Sequence, residues 1–117
     1  MLEREAQKIG VDYLATIPGI LTTVVVNEAT RKRKVYGVKS GWPDVIVCLS
    51  RSRVLWFEFK IKGKDQSKEQ EEIEADLLKL DHHYYLITIE NKWEVIRIIR
   101  RILEAHMTET EITGAPV

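Results

Sequence analysis

The chain has 117 residues, enough for one domain with a single core but not for two. Hydrophobic residues make up 44%, which excludes a disordered chain, and 18 basic residues balance 18 acidic ones, which excludes attraction of nucleic acid by net charge alone. The single cysteine, Cys48, excludes an internal disulfide and favours a reducing, intracellular setting, and we expect neither a membrane span nor a signal peptide.

A helix and a strand are predicted first. Apolar residues recur at helical spacing over residues 3–16, before a Pro-Gly pair that ends the helix; the stripe comprises Leu2, Ala6, Ile9, Tyr13 and Ile17. A β-branched run then predicts a strand over residues 21–27. The polar, basic stretch over residues 28–40 fits either a loop or the exposed far end of a hairpin.

Two more strands are predicted over residues 44–49 and 53–61, joined by a turn over residues 50–52. Both strands are rich in apolar residues, so we expect a buried hairpin. Together with the preceding strand it should form an antiparallel meander.

The second half of the chain predicts a helix, a strand and a helix. Ser67 begins a capping box, so a helix is predicted over residues 68–80, and it is followed by a strand over 84–89 and a helix over 93–105. The residues expected on the buried helix faces are Ile73, Leu77, Leu78 and Leu80, then Trp93, Ile96, Ile99, Ile102 and Leu103. We expect residues 1–106 to be one domain and residues 107–117 to be a flexible tail.

The predicted order is α-β-β-β-α-β-α. The helix between the third and fourth strands should be a crossover that sets the fourth strand parallel to the third. The fold class is therefore α/β, with a mixed sheet and helices packed on it.

Two carboxylates and a lysine are the most informative residues of the hairpin. Glu58 and Lys60 share one face of their strand because side chains alternate, and they lie about 7 Å apart along it. If the turn centres on Arg51, Asp44 lies opposite Glu58, with the two Cβ atoms roughly 5 Å apart. A buried ionised carboxylate needs a compensating cation or hydrogen bonds, and oxygen-only ligands favour Mg²⁺ or Mn²⁺ over zinc. The pattern therefore predicts a metal site beside a lysine, which suits metal-dependent hydrolysis of phosphodiesters.

A simpler interpretation competes with this one. Alternating Glu and Lys on a strand more often mark a solvated sheet face or a cross-strand ion pair. The metal-site hypothesis gains its specificity from the Pro-Asp pair upstream, the intervening hairpin and the Gln at the start of the next helix.

Together these residues resemble the PD-(D/E)XK nuclease superfamily and, within it, the small stand-alone VRR-NUC domain, over roughly residues 2–90. The matching segments are Gly41-Trp42-Pro43-Asp44, Glu58-Phe59-Lys60, Gly63, Ser67-Lys68-Glu69-Gln70 and Glu3-Arg4-Glu5-Ala6-Gln7. The resemblance implies a restriction-endonuclease-like fold with the order of elements given above. The chain departs from the family at Asp81-His82-His83, where a glycine is common, and this affects the loop rather than the chemistry.

The resemblance also implies the site roles. Asp44, Glu58 and the backbone carbonyl of Phe59 would bind the metal, and Lys60 would be the catalytic lysine.

Two helices would complete the site. Gln70 would support it from the N-terminus of its helix, and a glutamate of the first helix would reach the metal through water. We take this residue to be Glu3 rather than Glu5, because Glu3 borders the apolar stripe.

Partners follow from the resemblance as well. Stand-alone domains of this kind are similar to phage and bacterial enzymes that act as homodimers on branched DNA, including four-way junctions. We therefore expect DNA as the substrate, Mg²⁺ or Mn²⁺ as the cofactor, a homodimer and a cytoplasmic location. The dimer surface is left open between the last helix and a patch with Tyr36 and Trp42.

Basic residues are candidates for phosphate contacts. The main cluster, which as an alternative would be only a solvated hairpin tip, is Arg31, Lys32, Arg33 and Lys34, and the lysines flanking the motifs are Lys39, Lys62 and Lys64.

Four other residues are expected to have structural roles at most. His82 and His83 are adjacent on a strand and point to opposite faces, which makes a poor zinc site. Trp56 is expected to be a packed aromatic and Cys48 to lie in the core.

The leading function is a metal-dependent, structure-specific DNA endonuclease. Alternatives within the class are a flap- or nick-type repair nuclease and a restriction-like nuclease. Outside it are a non-catalytic DNA-binding module of the same fold and a protein-interaction domain with solvated charged faces.

Overall fold

The computed structural model describes residues 1–25 and 40–114. Its elements, in chain order, are α1 (Glu3–Leu14), β1 (Leu21–Val24), β2 (Val45–Cys48), β3 (Val54–Ile61), α2 (Lys68–Lys79), β4 (His83–Ile89), α3 (Glu94–Glu104) and α4 (Glu109–Thr113).

The four strands form one mixed sheet in the order β1-β2-β3-β4. β1 and β2 pair antiparallel, β2 and β3 pair antiparallel, and β3 and β4 pair parallel. The predicted meander and the parallel fourth strand are thus confirmed. The hairpin turns where Arg51 and Ser52 adopt positive φ angles of 63° and 59°.

Alternation along β3 sorts its side chains between two layers. Leu55, Phe57 and Phe59 are buried on one face, where they join one core cluster with apolar residues of α1, β2, β4 and α3. α2 packs against β4, and its buried Ile73 and Leu77 lie outside that cluster. The sheet therefore lies between an α1–α3 layer and α2, and β3 presents Trp56, Glu58 and Lys60 on the face away from the main core.

Helix faces are where the sequence pattern misplaced residues. In α3 the buried stripe is Val95, Ile99 and Leu103, whereas Trp93 and Ile96, both expected inside, are 79% and 45% exposed. The reason is that α3 begins only at Glu94 and carries apolar residues on more than one side, so more than one stripe fits its sequence.

Three other apolar residues expected inside are exposed. Leu80 lies past the end of α2, Leu78 lies on its outer side, and Leu2 lies before the start of α1. Cys48 is half-buried rather than in the core, because it falls on the outward parity of β2.

Residues 109–113 form a helix where a flexible tail was expected. Thr108 and Glu111 make a reciprocal capping box at its start, and Gly114 ends it in a left-handed conformation with φ 70°. Ile112 belongs to the core cluster, and Arg100 of α3 is ion-paired with Glu109.

His106 precedes this helix and is bound on both sides. Its ring is hydrogen-bonded to the Tyr85 hydroxyl at 2.6 Å, and its carbonyl accepts from Arg53.

Some predictions fall on residues outside the described ranges. These are the end of the first strand, the loop or hairpin tip, the basic residues 31–34, Lys39 and Tyr36. Within the described ranges, no helix is both long and apolar enough to cross a membrane.

Candidate active site

The hairpin register brings the two carboxylates together. β2 and β3 pair with Val45 opposite Phe57, so the next position towards the open end of the hairpin sets Asp44 against Glu58. This is the register expected from a turn centred on Arg51.

Asp44 occupies the point where β2 begins, and Pro43 explains why the ladder ends there. Asp44 Oδ2 accepts a hydrogen bond from the Phe59 backbone N–H at 2.8 Å. In the alternating antiparallel pattern, the backbone N–H and C=O of Phe59 would both form hydrogen bonds with residue 43. Residue 43 is a proline, which has no N–H to donate. The Phe59 carbonyl therefore accepts no hydrogen bond from residue 43. This suits the role of metal ligand that the family resemblance implies for it.

Gln70 reaches the pair from the first turn of α2 because the capping box fixes its amide. The Ser67 backbone N–H donates to Gln70 Oε1 at 2.8 Å, and Ser67 Oγ accepts from the Gln70 N–H at 3.1 Å. With Oε1 engaged, Nε2 is the end that faces the sheet, and it donates to Glu58 Oε2 at 3.0 Å. The capping box thus orients a donor towards a buried carboxylate.

Lys60 and Glu3 complete the group. Lys60 Nζ lies 4.0 Å from Glu3 Oε1, and the lysine side chain is only 12% exposed. The structure places Glu3 rather than Glu5 at the site, where α1 begins beside the end of β3. The ion pair is long, so Lys60 is not bound tightly to it.

The electrostatics of the pair are unfavourable in the absence of a cation. Burial raises the pKa of Glu58 to about 9, and the nearby negative charge of Asp44 adds to that shift. Burial also raises the pKa of Asp44, while the Phe59 N–H lowers it in part. Without a cation, Glu58 therefore retains its proton at neutral pH.

Glu58 has one oxygen left without a partner. The side chain is 1% exposed, and Oε1 is buried with no hydrogen-bond partner among the residues that the structure describes. An oxygen in this position needs a proton or a cation to offset its desolvation.

These donors fit a hard divalent cation such as Mg²⁺ or Mn²⁺. Mg²⁺ is usually held by one or two carboxylates with water and substrate phosphate filling the other positions. Over residues 1–25 and 40–114 no group of three or more His, Cys, Asp or Glu is placed to hold a metal. The fit is therefore to an open site of two carboxylates and a carbonyl, not to a closed structural cage.

A cleft of about 450 Å³ opens over the group. All five predicted site side chains line it, namely Glu3, Asp44, Glu58, Lys60 and Gln70. Four further residues line it, namely Ser40, Gly41, Ser67 and Glu69. The sequence pattern did not predict that Ser40 or Glu69 would lie at the site. The only signal for Glu69 was its position beside Gln70 in the first turn of α2.

Gly41 joins the segment before β2 to α2 by a close approach of two backbones. A Cβ built on Gly41 would lie 2.5 Å from the Glu69 carbonyl carbon and 2.8 Å from the Gln70 nitrogen, and the residue has φ +91°. Only glycine fits such a position without a shift of the chain. The approach sets the segment that leads to Asp44 against the first turn of α2, which carries Gln70.

Other candidate residues lie away from the carboxylate pair. Lys62 is ion-paired with Glu90 at 3.5 Å, and Lys64 is exposed in the loop before α2. His82 accepts a hydrogen bond from Trp56, and the His83 ring contacts His106. Arg31, Lys32, Arg33, Lys34 and Lys39 lie outside the described residues.

Comparison with known proteins adds one solved structure. No protein-family model matches the sequence, and no curated protein does either. A solved structure described as a VRR_NUC domain is 19% identical, with a TM-score of 0.63, and the match covers 84% of this chain and 94% of that one. The chain therefore has the fold of a VRR_NUC domain, and the resemblance expected from the motifs is confirmed at the level of the fold.

Proposed function

We propose that this protein is a Mg²⁺- or Mn²⁺-dependent endonuclease that hydrolyses phosphodiester bonds in DNA, with branched DNA such as four-way junctions as its preferred substrate. The main observation behind the proposal is a buried pair of carboxylates that needs a cation to balance its charge. The pair lies at the base of a cleft that Lys60 also lines. The VRR_NUC fold supports the same reaction class.

The residues divide the chemistry among them. A divalent ion held by Asp44, Glu58 and the Phe59 carbonyl would supply charge neutralisation at the phosphate and acidify a water molecule. Lys60, which lines the same cleft, would orient the attacking water or stabilise negative charge that develops on the phosphate. Gln70 donates to Glu58 Oε2 and leaves Oε1 without a partner among the described residues, so Oε1 would be available to a cation.

Two features bear on the alternatives. A non-catalytic DNA-binding module of this fold would be expected to have lost Asp44, Glu58 or Lys60, and all three are present and line one cleft. No recognition helix or other base-reading module is evident among the elements that the structure describes, which favours recognition of DNA shape over sequence. A flap- or nick-type repair nuclease and a restriction-like nuclease remain the competing substrate classes.

Oligomeric state and location are proposals of the same kind. A homodimer would place two such sites symmetrically and suit incision of both strands of a four-way junction. An intracellular, cytoplasmic location fits a chain with one cysteine.

A panel of labelled DNA substrates tests the activity. The purified protein is incubated with a four-way junction, a flap, a nicked duplex, a linear duplex and a single strand, each with Mg²⁺, Mn²⁺ or EDTA. Symmetric incisions at the junction that require metal are expected. Products from the flap alone would select repair, and an absence of products with every substrate would contradict the proposal.

The first prediction concerns the site residues. Asp44→Asn, Glu58→Gln and Lys60→Ala should each lower the cleavage rate by about 100-fold or more, because each removes a group acting on the developing charge. Fluorescence anisotropy with labelled DNA should show binding retained. Lys79→Ala, which removes an exposed lysine at the end of α2, is the matched control and should cleave normally. Full activity in Asp44→Asn would remove the metal site from the mechanism.

A further inference from the structure

Two tryptophans each lie two residues before one of the paired carboxylates in the chain, and the reaction proposed above does not use them. Trp42 lies two residues before Asp44, and Trp56 lies two residues before Glu58. Their rings contact each other, with centroids 5.6 Å apart and planes inclined at 38°. Both residues are half-buried, so part of the pair is accessible to solvent.

The orientation of Trp56 is fixed. Its Nε1 donates a hydrogen bond to His82 Nδ1 at 3.1 Å, and the histidine ring meets it edge-on with centroids 5.9 Å apart. β3 pairs with a strand on each side, so the backbone that carries Trp56 is fixed as well. Trp42 and Trp56 form an aromatic wall in which Trp56 is the pre-ordered member, so this ring loses little freedom when a ligand stacks on it.

The wall lies at a nucleotide's reach from the site. Trp56 and Glu58 point to the same face about 7 Å apart along β3. Stacked nucleotides advance about 3.4 Å along a strand, so this spacing corresponds to one or two nucleotides. A phosphate at the carboxylate pair would bring a neighbouring base to the wall.

Only certain bases are able to use such a wall. In a continuous duplex each base is paired and stacked between its neighbours, whereas an unpaired base offers a π face that stacks on aromatic side chains regardless of sequence. We propose that Trp42 and Trp56 stack an unpaired nucleotide next to the scissile phosphate, and that interrupted base pairing beside the cut is the feature that this site recognises. The inference rests on the proposed function and names its substrate class more narrowly.

A purely structural role for the wall predicts something different. Ile73 and Leu77 of α2 are buried on the same side of the sheet, and the tryptophans would then do no more than cover them. Substitution would lower stability and affect all DNA substrates equally. The ratio of affinities for unpaired and paired DNA therefore separates the two roles.

Tryptophan fluorescence tests the contact directly. The chain has three tryptophans, and Trp93→Phe removes the one that is far exposed on the protein surface before α3, so that only the wall reports. This variant is titrated in EDTA with a single-stranded oligonucleotide, with a duplex carrying a single-stranded overhang and with a blunt duplex. Tryptophan fluorescence should be quenched by the single strand and by the duplex with an overhang, but not by the blunt duplex. The three are compared at equal occupancy of the protein, which anisotropy of labelled DNA measures. Unchanged fluorescence at saturation with single-stranded DNA would overturn the inference.

Affinity provides the second readout. Trp42→Ala should weaken binding of single-stranded DNA about 5- to 150-fold, the range found for loss of one stacking contact, with a much smaller effect on the blunt duplex. Trp42→Phe keeps an aromatic ring, so its affinity for single-stranded DNA should lie between that of the unmodified protein and that of Trp42→Ala. This variant provides the test if the alanine variant does not fold. Trp93→Ala is the matched control and should bind as the unmodified protein does. An equal loss for both kinds of DNA would overturn the inference.

The design also distinguishes the two proposals from each other. The binding measurements contain no metal, so they do not depend on cleavage. A protein that cuts junctions with Mg²⁺ but shows no quenching would overturn the stacking role alone. One that shows quenching but cuts no substrate would overturn the proposed reaction and leave the stacking role in place.

Discussion

Glu58 is the residue with the most unusual environment in the described part of the molecule. It lies in the middle of an eight-residue apolar strand at 1% exposure, beside a second carboxylate, with a neutral amide donor to one oxygen only. Burying a charge in this way costs free energy unless a cation compensates it. Its environment is therefore best understood as half of a binding site whose other half comes from solution.

The second prediction follows from the raised pKa of Glu58. Because the folded-state pKa is about 9 and the ordinary value is 4.5, the native state holds an extra proton between these pH values. The associated stability is fully present below about pH 4.5 and is lost as pH rises through 9. We compare the melting temperatures of the unmodified protein and of Glu58→Gln, both without metal. The difference between them, unmodified minus variant, should fall by several degrees between pH 5 and pH 8.5.

Metal should reverse this trend, since a divalent cation replaces the shared proton. Differential scanning fluorimetry in EDTA and in Mg²⁺ measures both effects. The Mg²⁺-induced rise in melting temperature should be larger at pH 8.5 than at pH 6 for the unmodified protein. Parallel curves for the unmodified protein and Glu58→Gln would contradict the buried-proton account.

At the scale of elements, the site depends on how α2 approaches the start of β2. Gly41 makes this approach possible, since its backbone touches the first turn of α2. Gly63 has the same φ of +91°, but a Cβ added there would meet nothing within 4 Å, which makes this glycine a matched control for backbone strain alone.

The third prediction uses this pair. Gly41→Ala should lower the free energy of unfolding by about 1 kcal/mol or more beyond Gly63→Ala, because it adds a steric clash to the same strain. It should also lower cleavage activity more than Gly63→Ala does, since the displaced turn carries Gln70. Chemical denaturation and a junction-cleavage assay measure the two effects. Equal losses in both variants would show that the close approach does not position the site.

The elements also show what the sequence was able to predict. The hairpin register, and with it the meeting of Asp44 and Glu58, followed from alternation and from one turn centred on Arg51, which are local properties of the chain. The inward face of α3 followed only in part. Ile99 and Leu103 are buried as expected, but Trp93 and Ile96 are exposed while Val95 is buried, because the sequence fits more than one apolar stripe. Only the packing of α3 against α1 and the sheet decides between them.

The missed helix α4 is a different case, since its signal was present. Thr108 followed by Glu111 has the same capping-box spacing as Ser67 and Gln70, but the segment contains only one large apolar residue, Ile112. A five-residue helix is not stable alone, so its existence depends on the burial of that one side chain. The contact between Gly41 and Glu69 likewise joins residues whose proximity no local pattern encodes.

At the scale of the whole molecule, the core extends to the C-terminal residues that were expected to be a tail. Ile112 is 4% exposed and belongs to the same apolar cluster as α1, the sheet and α3. The described chain therefore closes its core with a short final helix rather than ending at α3.

The fourth prediction tests that closure. Ile112→Ala should lower the free energy of unfolding by about 2 kcal/mol or more, as expected for a buried isoleucine. Ile96→Ala removes the same side chain from an exposed helical position and should cost well under half as much. Urea denaturation of both variants gives the comparison. Equal, small losses would mean that residues 108–114 do not contribute to the core.

The hydrogen bond from the Phe59 amide to Asp44 has a practical consequence for spectroscopy. This backbone proton is attached to a central strand, yet its acceptor is a carboxylate of the candidate site rather than a neighbouring strand. Its NMR resonance is therefore a built-in reporter, able to register a change in the ligation of Asp44 without any label or substitution. In a titration with Mg²⁺, the chemical shift of that single amide would report binding of the ion at Asp44. The other amides of the sheet would serve as the internal reference.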